Sequence, residues 1–173
     1  MAKTPDTQTR RSRGATHGPS GQRPSLQVGA LCWRRTQKGA VRILLITSRD
    51  TGRWVIPKGW PMRNRTEAEA AAREAFEEAG VTGEISARSL GLYGYPKVLA
   101  RGRSIPCVVR VFPLAVRERL RRFPEAGQRK RKWFSPGKAA RKVQEAELAR
   151  ILREFDPDAE ATPATGDAEP GEA

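Results

Sequence analysis

Apolar runs broken by turn residues, with one alanine-rich stretch of helical period between them, set out the elements of this chain. LQVGALCW (Leu26 to Trp33) predicts a strand, Lys38-Gly39 a turn, and VRILLITS (Val41 to Ser48) a second, more buried strand. Asp50-Thr51-Gly52 predicts a turn into the short run Trp54 to Ile56. Pro57 ends that run, because its ring fixes φ and removes a donor, and Pro57-Lys58-Gly59 then predicts a turn. Thr66 with Glu69 three residues on is a capping box, which predicts a helix from Glu67 to Ala79 with Gly80 as its stop. Ala68, Ala71, Ala72, Ala75 and Ala79 make a stripe of small residues that would let the helix lie close to a sheet, and Phe76 widens that face. Ile85 to Val116 predicts two or three strands split by Arg101-Gly102-Arg103, with CVVRVFPLAV the strongest strand of the chain. RKRKWF (Arg129 to Phe134) predicts a short strand with alternating basic residues. Ser135-Pro136 then opens a helical region that runs to about Phe155, with an interruption near Gln144.

The ends read differently. Residues 1–24 are rich in Thr, Ser, Gly, Pro and Arg and offer almost nothing to bury, which predicts a disordered basic arm. Residues 157–173 predict a disordered acidic tail, so one domain is expected over residues 25–156 of the 173-residue chain. Lys and Arg number 33 against 19 Asp and Glu, a formal net charge of +14, which points to a polyanionic partner. The only cysteines are Cys32 and Cys107 and the only histidine is His17, which excludes a Cys/His zinc site and argues against a disulfide framework. Isolated cysteines in apolar runs suit a reducing cytoplasm. No run reaches the roughly 18 apolar residues of a membrane span, and the first residues have no signal-peptide core. Arg10, Arg11 and Arg13 could touch nucleic acid, but no aromatic residue is interleaved for stacking.

Within so basic a chain, the acidic face of the predicted helix is the anomaly. Glu74, Glu77 and Glu78 stand at i, i+3 and i+4, so their carboxylates project from one face. None has a Lys or Arg four residues further on, and unpaired like charges at that spacing destabilise a helix. A hard divalent cation, which prefers carboxylate oxygen, is the usual physical reason to keep such a cluster.

Trp54 to Val81 resembles the Nudix box, G-x5-E-x7-R-E-U-x-E-E-x-G-U, where U is a bulky aliphatic. Gly59, Arg73, Glu74, Glu77, Glu78, Gly80 and Val81 fit in register, while Arg65 replaces the first Glu and Ala75 a larger aliphatic. The resemblance, which extends from about Leu31 through Phe134, implies an α/β fold, the Nudix α/β/α sandwich with a mixed sheet. It also implies Mg²⁺-dependent hydrolysis of a phosphoanhydride, with Mn²⁺ as a substitute. By the same resemblance Glu77 and Glu78 are metal ligands and Glu74 is a further ligand or the base for the attacking water. Arg73 holds the Glu side chains, and the Lys58 carbonyl is another ligand. Arg65 cannot pair with Arg73, so either Glu67 or Glu69 substitutes or Arg73 is held differently. A further acidic ligand would come from a later loop, with Glu118 and Glu125 as candidates that spacing does not separate.

Among Nudix proteins the resemblance is to the diphosphoinositol polyphosphate and dinucleoside polyphosphate phosphohydrolases. Its residues are ALCWR (Ala30 to Arg34), Ser48-Arg49, RWVIPKG (Arg53 to Gly59) and RKRKWF. It implies phosphate contacts from Ser48, Arg49, Lys58, Gly59 and the basic strand carrying Arg131. Arg63 and Arg65 stand where those relatives are acidic; with Lys58, Lys97, Arg101 and Arg103 they would add positive potential for a highly phosphorylated small molecule. The alternatives are an ADP-ribose or nucleoside triphosphate pyrophosphatase, to which Pro96 is a weak pointer, and a basic nucleic-acid-binding module. Tyr93 and Tyr95 could stack on a nucleobase or pack in the core. No nucleic-acid-binding motif is present and basic charge alone is non-specific.

Overall fold

The computed structural model describes residues 23–99 and 102–160. The expected arm with Arg10, Arg11, Arg13 and His17, and Arg101, lie outside the described residues, as does the expected 157–173 tail apart from its first four residues, Pro157–Glu160, which are helical and not disordered. Strands β1 (Ser25–Arg35), β2 (Val41–Thr47), β3 (Trp54–Val55) and β4 (Lys58–Gly59) precede helix α1 (Glu67–Ala79). Strands β5 (Val81–Ile85), β6 (Gly91–Val98), β7 (Ser104–Arg119) and β8 (Arg131–Phe134) follow. Helices α2 (Pro136–Lys142), α3 (Ala146–Glu154) and α4 (Pro157–Glu160) complete the order.

All the strands join one mixed sheet. Its spine is β3-β2-β1-β7-β5, with β4 added to β1, β6 to β7 and β8 to β2. The long β1 and β7 run parallel, from Ser25 opposite Cys107 to Trp33 opposite Ala115, and the other pairings are antiparallel. Alternation along each strand sorts side chains to two faces. Val28, Ala30, Cys32, Leu44, Ile46, Phe112 and Leu114 meet α1 on one side. Leu31, Ile43, Leu45, Val109 and Val111 meet α2 and α3 through Ala139, Leu148 and Leu152 on the other. This is an α/β/α sandwich. Each fully buried Leu or Ile adds roughly 1.5–3 kcal/mol of burial free energy, so the sheet between two apolar layers is the rigid frame.

Helix α1 begins and ends where its caps predict. Thr66 and Glu69 exchange both bonds of the capping box, and Gly80 closes the helix at φ 60°. The face it buries is rotated slightly from expectation: Ala70 is buried with Ala68, Ala71, Ala75 and Ala79, while Ala72 and Phe76 are only half-buried.

Two other local expectations are corrected. Lys58-Gly59 is not a free turn but a two-residue strand, opposite Gly29 and Val28 of β1. The Ala30 N–H donates to the Pro57 carbonyl at 3.0 Å, which draws the segment into the sheet. Gly29 makes the approach possible, since a Cβ there would lie 2.9 Å from Val109 Cγ1 and 3.0 Å from Ile56 Cδ1. Val81 to Ile85, directly after the α1 cap, is a further strand paired with the end of β7.

Candidate active site

A cavity of about 740 Å³ opens beside α1, where loops from both halves of the chain meet. One wall is Glu74 and Glu78 of α1 with Lys58 and Gly59 of β4. The β2–β3 connection adds Ser48, Arg49, Thr51 and Arg53; the end of β6 adds Tyr95, Pro96 and Lys97. Glu125 and Arg129 come from the connection before β8, and Gln144 and Glu145 from the α2–α3 link. Gln27 of β1 lies at the base, 2% exposed, accepting a hydrogen bond from the Tyr95 hydroxyl at 2.6 Å.

The strand pairing of Lys58-Gly59 sets the carboxylates. The Glu74 carboxylate lies against Gly59, where any Cβ would overlap it. Glu78 Oε2 accepts from the Lys58 backbone N–H at 3.1 Å, and its Oε1 from Arg129 Nη2 at 2.6 Å. Arg129, 8% exposed, also donates to Glu125 Oε2 at 2.8 Å and to the Thr47 carbonyl at 3.1 Å. One buried guanidinium thus ties α1, β2 and the 120–130 connection together. The Glu125 N–H donates to the Glu77 carbonyl at 3.0 Å, seating that connection on the end of α1.

Negative charge is crowded here. Burial, then Glu78, Glu77 and Glu125, raise the Glu74 carboxyl to about 7, with Lys58 opposing. Burial raises Glu78 as well, against the pull of Arg129 and Lys58. Burial lowers the Lys58 ammonium, which Glu78 favours and Arg129, Lys97 and Arg53 disfavour. Among the described residues no three acidic, His or Cys groups already form a cation cage. The donor set nonetheless suits a hard divalent ion: beside α1 the Glu74, Glu78 and Glu125 carboxylates crowd round one guanidinium, Arg129, and the Lys58 ammonium, and their donors are all oxygen.

The structure brings together Ser48, Arg49, Lys58, Gly59, Glu74 and Glu78, with Lys97 and Pro96. It does not bring in the others. Glu77 is paired with Arg73 four residues earlier, so the like-charge cluster on α1 is partly quenched from i−4. Arg73 rests its guanidinium on Phe76 at 5.1 Å. Neither Glu67 nor Glu69 holds it: Glu67 pairs with Arg110 at 2.6 Å and Glu69 is spent on the capping box. Arg63 is exposed and, like Arg65 and Arg103, outside the cavity lining. Arg131 also lies outside it, donating to the Ala79 carbonyl at 2.7 Å and to Leu120 O at 3.3 Å over the Phe123 ring. It satisfies the C-terminus of α1, where a cation complements the helix dipole. Glu125 is in the cavity; Glu118 is exposed on β7. Tyr93 is core, 2% exposed, whereas Tyr95 lines the site.

Sequence reasoning missed Arg129, Arg53, Gln27 and the Gln144-Glu145 pair. Arg129 and Arg131 share a parity in RKRKWF; they part only because β8 begins at Arg131. Gln27 carried a signal, a lone amide in an apolar strand. Arg53 donates to Glu145 Oε1 at 2.7 Å and to Gln144 Oε1 at 3.0 Å, across 92 and 91 positions that no local pattern connects.

The family model for the NUDIX domain matches residues 25–155, and the chain belongs to the Nudix family. It is 33% identical over 132 residues to Nudix hydrolase 21, chloroplastic, of Arabidopsis thaliana, covering 74% of this chain and 64% of that protein. It is 32% identical over 120 residues to diphosphoinositol polyphosphate phosphohydrolase 2 of Rattus norvegicus, covering 68% and 62%. Three Arabidopsis relatives of the same family are spanned over 54–64% of their length. The fold is similar to that of a C. elegans Ap4A hydrolase in a binary complex, with TM-score 0.56, 23% identity and coverage of 75% and 93%.

Proposed function

We propose that this chain is a Mg²⁺-dependent hydrolase that cleaves a phosphoanhydride in a highly phosphorylated small molecule, such as a diphosphoinositol polyphosphate or a diadenosine polyphosphate. The observation that carries this reading is the meeting, in one cavity, of the crowded box carboxylates Glu74 and Glu78 with the cations Arg49, Arg53, Lys58 and Lys97. Family membership over residues 25–155 supports it. The rat relative's name and the worm hydrolase supply the two substrate classes.

Glu78, Glu74 and the Lys58 carbonyl would hold the ion, and Glu77, which pairs with Arg73 outside the cavity lining, would turn from that pair to join them. When bound, Mg²⁺ would lower the pKa of a water and neutralise charge developing on the phosphoryl oxygens. The chain's own groups do the rest. The cavity's cations draw in the phosphates and set the scissile phosphorus beside α1. Glu74, whose carboxylate has no hydrogen-bond partner among the described residues, takes the proton from the attacking water. A new O–P bond forms, the anhydride P–O bond breaks, and a phosphate or phosphorylated fragment leaves. Arg129 fixes Glu78 and Glu125, Arg73 orients Glu77, and Arg49 with Ser48 faces the departing phosphate. Arg63 and Arg131 are not assigned substrate contacts. The free cysteines fit a reducing compartment such as the cytoplasm, and no described helix is long and apolar enough to cross a membrane.

A specific observation favours a nucleotide-linked substrate as a second reading. Beyond the carboxylates the cavity offers the Trp60 ring, Tyr95 and Gln27, suited to a base or sugar. The test is turnover with Mg²⁺ or Mn²⁺ on diphosphoinositol polyphosphates, diadenosine polyphosphates, ADP-ribose and nucleoside triphosphates. Cleavage of at least one is expected, with Glu78→Gln slower by about 10²-fold or more while the fold survives. No cleavage anywhere in that panel overturns the proposal.

A further inference from the structure

A second groove, of about 590 Å³, lies between the start of β2, β8 and α2. It shares no lining residue with the catalytic cavity. Arg42 in this groove and Ser48 in the cavity stand at opposite ends of β2, roughly 20 Å apart at about 3.3 Å per residue. Five cations line it, Arg42, Lys132, Lys138, Arg141 and Lys142, and no carboxylate does. Among the described residues none of the five makes an ion pair, whereas Arg49, Arg53 and Arg129 of the cavity all do.

That arrangement is unfavourable as it stands. Lys138, Arg141 and Lys142 sit at i, i+3 and i+4 on one face of a seven-residue helix, where like charges repel. Arg141 and Lys142 gain something from the helix C-terminus, but Lys138 is in the first turn, at the pole that disfavours a cation. One donor in the same lining is also unspent: Ser135 makes no side-chain cap bond to α2. A multivalent anion would relieve the repulsion and supply acceptors.

We propose that this groove is a second anion site that takes a compact, multiply phosphorylated small molecule, separately from the catalytic cavity. The concave shape favours a small ligand over a nucleic acid, and neither aromatic residue of the lining, half-buried Trp133 or buried Phe134, is exposed for base stacking.

The test is calorimetric titration of the full chain with inorganic tripolyphosphate at physiological salt. Three proteins are compared: the native chain, Lys138→Gln/Arg141→Gln/Lys142→Gln, and a control that loses the same charge from exposed sites, Arg88→Gln/Arg121→Gln/Arg122→Gln. The groove variant is expected to lose about tenfold in one class of sites, as three exposed ion pairs would give, and the control less than about threefold. Arg42→Gln/Lys132→Gln, on the strands, reports the same loss if α2 does not tolerate its three changes. Equal weakening in groove variant and control, or none in either groove variant, overturns the site. Tighter binding of a single-stranded RNA of matched phosphate number, lost with the same substitutions, overturns the small-molecule assignment.

Discussion

Arg129→Met tests whether one buried guanidinium holds the candidate site together. The substitution keeps most of the side chain's length and removes the charge. It leaves Glu78 and Glu125, whose side chains are 12% and 21% exposed, without their shared partner. The two charge-assisted bonds, at 2.6 and 2.8 Å, are each worth about 1.5–3 kcal/mol. Breaking a buried pair from one side typically lowers stability by about 3–5 kcal/mol, because the stranded charge remains desolvated. Both estimates place the loss at about 3 kcal/mol or more, at least about a fifth of an ordinary domain's stability of about 5–15 kcal/mol. The sign with pH follows. Without Arg129 the folded-state pKa of Glu78, already raised by burial, rises further. A raised folded pKa contributes stability that is present below the unfolded value and lost as pH rises through the folded one, so the deficit grows from pH 5 to pH 8. Urea unfolding at both values in chelator measures it, and Arg129→Met/Glu78→Gln should recover part of the loss at pH 8. A deficit below about 1 kcal/mol that does not change with pH refutes the assignment of Arg129 as the clamp.

Glu74→Gln should stabilise the metal-free protein at alkaline pH. The native carboxyl is raised from 4.5 to about 7, so its favourable contribution is complete below about 4.5 and lost as pH rises through about 7. The full displacement corresponds to about 3 kcal/mol, which screening at a half-exposed carboxylate reduces to about 1–2 kcal/mol; denaturation at pH 4.5 and 8 should show near equality at the first and a gain at the second. Gly59→Ala puts a methyl where the Glu74 carboxylate lies, so turnover should fall by about tenfold or more for a stability loss of about 1–3 kcal/mol. Equal turnover in the two proteins would contradict that packing. Cys32 and Cys107, 0% and 2% exposed and both pushed up by burial, should react with a thiol reagent only after unfolding. Rapid labelling of the native protein would count against this core.

What could be read in the sequence was local. The Thr66–Glu69 box, the Gly80 stop and the register of Glu74, Glu77 and Glu78 depend on contacts within a few positions along one helix, so spacing alone determined them. The Ser135-Pro136 start of α2 and the break before α3 were legible for the same reason. The same spacing looked forward for a partner to Glu77 and passed over Arg73, four residues behind it. Tertiary structure decided everything that depends on chain closure over long separations. Lys58-Gly59 looked like a turn until β1 offered it an edge, and that pairing is what places Lys58 N–H and Gly59 against Glu78 and Glu74. Arg129 and Arg131 are indistinguishable as letters in RKRKWF. The bend before β8 sends one into the cavity and the other to the end of α1, because each guanidinium finds the buried oxygen nearest to it once the sheet has formed.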